Sequence, residues 1–382
     1  MARLGPSNDR TARPPQRPCV HRHGGTLPHS RAPRATGRTR AAMTMLGRLQ
    51  FPRRTSSRSA TVNYSNVRRR PHSGLAEGPP VPRVIAVVPT YRPDDEAVGH
   101  LRQIARQVAA VVVVDDGSGA AATSILDAVE AEVTRVIRLT ANSGIAAALN
   151  AGVRWALDND ADYVLTVDQD TNLPEGYVEA ALAVFDAANP VTRLGIVCVD
   201  AVNGAPALPT WSSPEGLGLV PEAIQTGFVI SRECLETAGL FDEGLVIDTV
   251  DTEYCLRVRD RGFRIAVAKG TNIGHSIGRR AELRPFGVAV RHANGRIATY
   301  QYHSPFRRYY IARNNIDLML RNVRKRPRWV LTVLKREMGG MIVSMVSGPQ
   351  RIAQVLAITT GTLHGLIRRR GMIPPWLRRL VT

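Results

Sequence analysis

Residues 165–172, LTVDQDTN, end an apolar run in two carboxylates, Asp168 and Asp170, separated by one residue. Like charges this close repel unless something positive lies between them. In an extended segment the side-chain period of two places both on one face, where a hard divalent cation, Mg²⁺ or Mn²⁺, is gripped together with a diphosphate. An Asp-x-Asp pair alone is weak, because surface turns carry it by chance. Its weight comes from where it falls in the chain.

Four apolar, β-branched runs, VIAVVP, VAAVVVVDDGSG, TRVIRLTANSG and DYVLTVDQD, alternate with helical-length segments, DDEAVGHLRQIARQ, AAATSILDAVEAE and GIAAALNAGVRWALDND. Continuous apolar strands alternating with helices predict a parallel sheet covered on both faces. Ligands of such sheets bind beyond the carboxyl ends of the strands. The polar residues fall at those ends: Thr90 and Tyr91 after the first strand, Asp115 and Asp116 after the second, Asn142 after the third, Asp168 and Asp170 after the fourth. DDGSG offers carboxylates suited to accepting hydrogen bonds from a base or ribose; as a plainer use, Asp115 and Asp116 start a helix or make an Asx turn. No GxxxxGK[ST] loop or GxGxxG fingerprint follows the first strand, which argues against ATPase and dinucleotide-binding readings.

The net charge of +19 over 382 residues suggests a nucleic-acid partner until it is divided along the chain. Residues 1–82 hold 16 Arg against two acids, residues 318–382 hold 13 Lys and Arg against one, and the centre is acidic, with 22 bases against 29 acids. The Arg/Pro-rich first segment has the composition of a disordered tail, with Met43 or Met45 as alternative starts, and no specific nucleic-acid partner is expected of it. Cys19, Cys198, Cys234 and Cys255 form no CxxC pair, so buried, inert thiols are expected. No signal-peptide pattern stands near the N-terminus, which predicts a cytoplasmic catalytic part.

In this order and spacing, VVPTYRP, VVVVDDGS, NSGIAAALNAGV and LTVDQDT resemble the nucleotide-binding half of the inverting family 2 glycosyltransferases. NSGIAAALN and VDQDT, followed by QTGFVISRECLETAGLFDEGLVIDTVDTEYCLRVRDRGFRIAVAKGTNIGHSIG and YHSPFRRYYIARN, are similar to the rhamnosyltransferase branch, over about residues 85–320. The resemblance implies a GT-A fold, a Rossmann-like, mostly parallel α/β sheet flanked by helices. It implies that Thr90, Tyr91, Asp116, Asn142 and Asp168 line the nucleotide-sugar pocket, that Asp168 and Asp170 bind Mg²⁺ or Mn²⁺, and that His275 is a third metal ligand. A catalytic base is implied within VIDTVDTE, where Asp251 matches best; the strict Glu-Asp doublet is absent, so Asp248 and Glu253 compete, and all three also suit a solvated helix start.

Arg307, Arg308 and Arg313 in FRRYYIARN add charge around the diphosphate or a lipid phosphate, or else line a solvated or membrane-facing helix. Gly227 in TGFVIS shapes an acceptor pocket or simply makes a tight turn. The segments RWVLTVLKREMGGMIVSMVSG and QRIAQVLAITTGTLHGLIRRRG are apolar yet interrupted too early to span a bilayer, and with their basic flanks they predict amphipathic helices on an anionic membrane surface. Packing on the catalytic domain is the alternative. The expected organisation is a tail over 1–82, a GT-A domain over 83–317 and a helical extension over 318–382. The expected activity is transfer of L-rhamnose from dTDP-L-rhamnose to a cell-envelope polysaccharide or polyprenyl-linked glycan at the inner face of the plasma membrane. The alternatives are a galactofuranosyl or other hexosyl transferase using a UDP-sugar, and a non-catalytic nucleotide-sugar or anionic-polymer binding protein.

Overall fold

A computed structural model of the chain describes residues 81–275 and 278–382. The expected tail, with Met43, Met45 and Cys19, lies outside the described residues except at its last two positions. Strands β1 (Val84–Thr90), β2 (Ala110–Asp115), β3 (Arg135–Arg138) and β4 (Tyr163–Thr166) form in the expected sequence, separated by α1 (Glu96–Ala105), α2 (Thr123–Glu130) and α3 (Ile145–Asp158). All four pair in parallel, in the spatial order β3-β2-β1-β4. Every residue of β1 and β2 is buried, which is why both read as unbroken apolar runs. Their period of two sorts the core: Ile85, Val87, Val112 and Val114 pack with Leu149 and Val153 of α3, while Val84, Ala86, Val88, Val111 and Val113 pack with Leu101 and Ile104 of α1.

The second half extends this sheet. After β5 (Thr171–Asn172) and α4 (Tyr177–Ala187) come β6 (Leu194–Val202), the short β7 (Ala205–Pro206), β8 (Trp211–Ser212) and β9 (Gly218–Leu219), and then β10 (Phe228–Ser231). Helices α5 (Arg232–Ala238) and α6 (Val250–Asp260) lead to the long β11 (Arg264–His275). β10 runs antiparallel between β4 and β6, and β11 runs parallel to β6, so the sheet is mixed but mostly parallel through its centre. The end of β11 turns back to pair with β5, bringing His275 opposite Thr171. That pairing carries a residue from far along the chain to the turn holding Asp168 and Asp170.

A hairpin of β12 (Arg279–Glu282) and β13 (Thr299–Tyr302) precedes the helices α7 (Pro305–Asn322), α8 (Pro327–Ser347), α9 (Arg351–Leu366) and α10 (Pro375–Val381). Proline begins α7, α8 and α10, where its missing N–H is no loss. The boundary expected after residue 317 falls inside α7. Leu318 belongs to the main core, while Tyr309 and Tyr310 join Val246, Ala357, Ile373, Leu377 and Val381 in a core shared with α9 and α10. Small residues let α9 approach: a Cβ on Gly361 would meet the Tyr309 carbonyl oxygen at 2.5 Å, and one on Gly365 the Arg313 carbonyl oxygen at 2.6 Å. Among the described residues no helix is long and apolar enough to cross a membrane.

Candidate active site

The loop ends of β1, β2, β3 and β4 meet at one edge of the sheet. The Asp116 N–H donates to the Thr90 carbonyl at 2.8 Å, and the Asp116 carboxylate accepts the N–H groups of Ser143 and Gly144 at 2.6 and 2.9 Å. Asp116 therefore ties the end of β2 to the entry of α3, next to Asn142. Burial raises its pKa, against the pull of the two N–H donors. Asp115 is used differently: it accepts the Ser118 N–H and hydroxyl in a local turn, the plainer of its two readings. Thr90 is buried, its hydroxyl 3.4 Å from the Val114 carbonyl, whereas Tyr91 stands exposed with Arg92 over its ring. Gly117 has φ +71, and a Cβ there would lie 2.5 Å from the Ala141 carbonyl carbon, so these loops pack backbone on backbone.

Asp168 and Asp170 do not sit in an extended strand. β4 ends at Thr166, and the two acids lie in the following turn, closed by the Thr171 N–H donating to the Asp168 carbonyl at 3.1 Å. The turn, not strand periodicity, brings them together. One ligand atom from each of Asp168, Asp170 and His275 lies within 4.8 Å of the others. His275 Nδ1 is 3.3 Å from Asp170 and 3.1 Å from the Thr171 hydroxyl, and its Nε2 is 3.9 Å from Asp168. Two carboxylates and an imidazole suit Mg²⁺ or Mn²⁺ in donor type and spacing. The electrostatics are those of a site short of positive charge. Burial pushes Asp168 up to about 6, which the His275 charge only partly offsets. At Asp170 burial acts upward as well, but the His275 hydrogen bond and charge outweigh it and hold the carboxyl low. The hydrogen bond that His275 donates to the Asp170 carboxylate in turn raises His275.

Residues not singled out from the sequence build the walls. Gln225 donates to Asp168, the Thr226 hydroxyl accepts the Asp168 N–H at 3.0 Å, and Gln169 accepts the Tyr91 N–H at 2.8 Å. Gln225 and Thr226 directly precede Gly227, whose φ of +86 and N–H bond to the Thr166 carbonyl make it a tight strand entry. The Oε1 of Gln225 and the Oγ1 of Thr249 are buried without hydrogen-bond partners among the described residues, leaving polar atoms for a ligand's hydroxyl groups to satisfy.

The three candidate bases separate clearly. Glu253 bonds Arg257 at 2.9 and 2.8 Å on the first turns of α6. Asp248 bonds Arg307 at 2.5 and 3.3 Å. Asp251, on the first turn of α6, has no cationic partner among the described residues, and it accepts the Thr252 N–H at 2.7 Å. Burial lifts its carboxyl to about 6, opposed by that N–H and reinforced by the charges of Asp248, Glu222 and Asp168.

The loop before α6 is strained: Val246, Asp248 and Thr249 have φ of +68, +63 and +60. Positive φ at such residues costs on the order of 1–3 kcal/mol each and persists only when neighbours enforce it. Asn314 enforces it, its amide donating to the carbonyls of Leu245, Ile247 and Asp248, each at 2.9 Å. Arg313 assists by donating to Gly244 and Leu245 at 3.1 and 3.0 Å and to Gly371. The expectation that Arg313 contacts the diphosphate is therefore corrected: its guanidinium is 2% exposed and occupied with backbone carbonyls. Arg307 faces the acids, and Arg308 turns away beneath α8. Cys198 and Cys234 are buried, burial lifting each thiol to about 12, as suits unreactive cysteines.

Residues 85–225 match the family Glycosyl transferase family 2. The dTDP-rhamnosyl transferase RfbF of Shigella flexneri is 28% identical over 251 residues, 63% of this chain and 80% of that protein. Among solved structures, S. aureus TarS is similar at 17% identity and TM-score 0.45 over 78% of this chain and 50% of its own. GalNAc-T7 with UDP, GalNAc and Mn2+ is similar at 13% identity and TM-score 0.42, over 50% of this chain and 43% of its own. The chain thus spans about half the length of these two structures.

Proposed function

We propose that this chain, whose residues 85–225 match Glycosyl transferase family 2, is a glycosyltransferase that moves L-rhamnose from dTDP-L-rhamnose onto a cell-envelope polysaccharide or a lipid-linked glycan precursor, with inversion at the anomeric carbon. The 28% identity to a dTDP-rhamnosyl transferase supports the donor. The observation that carries the chemistry is a half-buried carboxylate without a cationic partner among the described residues, Asp251, within the electrostatic reach of Asp168 in the cluster of Asp168, Asp170 and His275.

In this reading the Asp251 carboxylate takes the proton from an acceptor hydroxyl as its oxygen bonds to the anomeric carbon and the bond from that carbon to the nucleotide diphosphate breaks. A pKa of about 6 leaves Asp251 ionised at neutral pH yet more basic than a solvated carboxylate. Asp168, Asp170 and His275 would hold Mg²⁺ or Mn²⁺, which when bound supplies positive charge for the departing diphosphate. Arg307, anchored by Asp248 and near Asp168, adds to that charge. Thr90, Tyr91, Asp116 and Asn142 cradle the base and ribose at the strand ends. The basic, partly apolar helices after residue 317 favour work at the inner face of an anionic membrane.

Competition between donors tests the reading. Purified full-length protein should consume dTDP-L-rhamnose in preference to UDP-galactofuranose and UDP-glucose at equal concentration. Preference for a UDP-sugar would overturn the rhamnose assignment.

A further inference from the structure

The adjacent arginines that open α7 have opposite fates. Arg307 is anchored by an ion pair with Asp248 and faces the acids of the site. Arg308 is 5% exposed, its Nε has no hydrogen-bond partner, and it joins no ion pair among the described residues. The acids whose charges reach it are engaged elsewhere: Glu337 bonds Arg336 at 3.0 Å, and Asp248 bonds Arg307. A second orphan lies within its field: the hydroxyl of Tyr300 on β13 is also buried without a partner among the described residues and feels the charge of Arg308. A buried guanidinium without a counter-charge is costly, and a missing anion accounts for it.

α8 packs over this group. It carries Gly339 and Gly340 in its interior, each about 1 kcal/mol less favourable than Ala. A Cβ on Gly340 would lie 3.4 Å from Arg308 Nη1, ordinary van der Waals contact, so this face of α8 packs against the guanidinium. The other side of α8 shows exposed Leu331, Leu334, Met338 and Ile342, spaced three and four residues apart, with Arg328, Lys335 and Arg336 nearby. The two sides are about a helix diameter, roughly 10 Å, apart. An interfacial helix with its apolar stripe in the hydrocarbon boundary carries its opposite side at the level of lipid phosphates.

We propose that Arg308 and Tyr300 bind the phosphate of a lipid-linked acceptor whose apolar chain enters the bilayer beside α8. The inference rests on the glycosyltransferase reading but not on the donor. Arg308 supplies charge-assisted hydrogen bonds to the phosphate oxygens, and the Tyr300 hydroxyl supplies a further one. Glu337 lies on the inner side of α8 and would repel the anion unless Arg336 continues to hold it.

The test measures binding of farnesyl phosphate, farnesol and inorganic phosphate to the full chain, without any donor sugar. Farnesyl phosphate should bind at least about tenfold more tightly than either fragment, and Arg308→Met should weaken it about tenfold or more. Tyr300→Phe should weaken it about threefold to tenfold, while Arg351→Gln, an exposed cation on α9, should change it less than about twofold. With no ligand, Arg308→Met should keep or raise the melting temperature, because it removes an uncompensated buried charge. A lower melting temperature with unchanged farnesyl phosphate affinity would make Arg308 structural and overturn the proposal. Equal affinity for inorganic phosphate would overturn the lipid assignment. Failure of the donor reading would appear only in sugar-transfer assays, so the two outcomes are distinct.

Discussion

Replacing Asp251 by Asn separates a functional carboxylate from a structural one, because the two roles predict stability changes of opposite sign. The carboxyl has no cationic partner among the described residues and is lifted from 3.8 to about 6 by burial. At about 1.4 kcal/mol per pKa unit, its ionised form destabilises the fold by up to about 3 kcal/mol, which partial solvent access reduces to about 1–3 kcal/mol. Because the folded pKa exceeds the unfolded one, stability falls as pH rises between about 4 and 6, and the loss is complete above the folded value. Asp251→Asn should therefore melt about 2–6 °C higher than the parent at pH 7.5 and at nearly the same temperature at pH 4. Sugar transfer should drop about 10²–10⁴-fold, and the parent's kcat/KM should rise with pH through about 6 and then level off. Thermal melts across pH and initial rates on the same preparations measure both. A variant that melts lower at pH 7.5, or transfers sugar at the parent's rate, would refute the reasoning.

Two further substitutions probe how the site is held. Asp116→Ala removes the acceptor of two backbone N–H groups at the sheet edge, and should cost about 2–4 kcal/mol in chemical denaturation and raise the KM for donor. Asn314→Ala frees three carbonyls of the strained 245–248 loop; it should cost about 2–4 kcal/mol and lower kcat more than it raises KM, because the loop carries Asp248 and leads into Asp251.

What was legible in the sequence follows from local chemistry. β1 and β2 are covered on both faces, so their composition alone marked them as central parallel strands. The polar strand ends marked the edge where Thr90, Asp116 and Asp168 gather. What local reasoning missed came from non-local pairing. The antiparallel insertion of β10 between β4 and β6 places Gln225 and Thr226 against Asp168, a contact spanning 57 residues. The apolar run before Asp168 and Asp170 suggests strand residues, yet the ladder stops at Thr166 and a turn performs the juxtaposition. Arg313 and Asn314 illustrate the same limit: a charged and a polar residue on a helix suggest solvent or ligand, and only the packing of α7 against the 244–248 loop turns both into clamps for backbone carbonyls.

The most direct test of the account is transfer from dTDP-L-rhamnose by the full-length protein, with and without EDTA, beside Asp170→Asn. Turnover should be abolished by EDTA, restored by Mn²⁺ or Mg²⁺, and lowered at least about 10²-fold by Asp170→Asn. Turnover that survives both chelation and the substitution would contradict the assignment of Asp168, Asp170 and His275 as the metal site at the centre of the reaction.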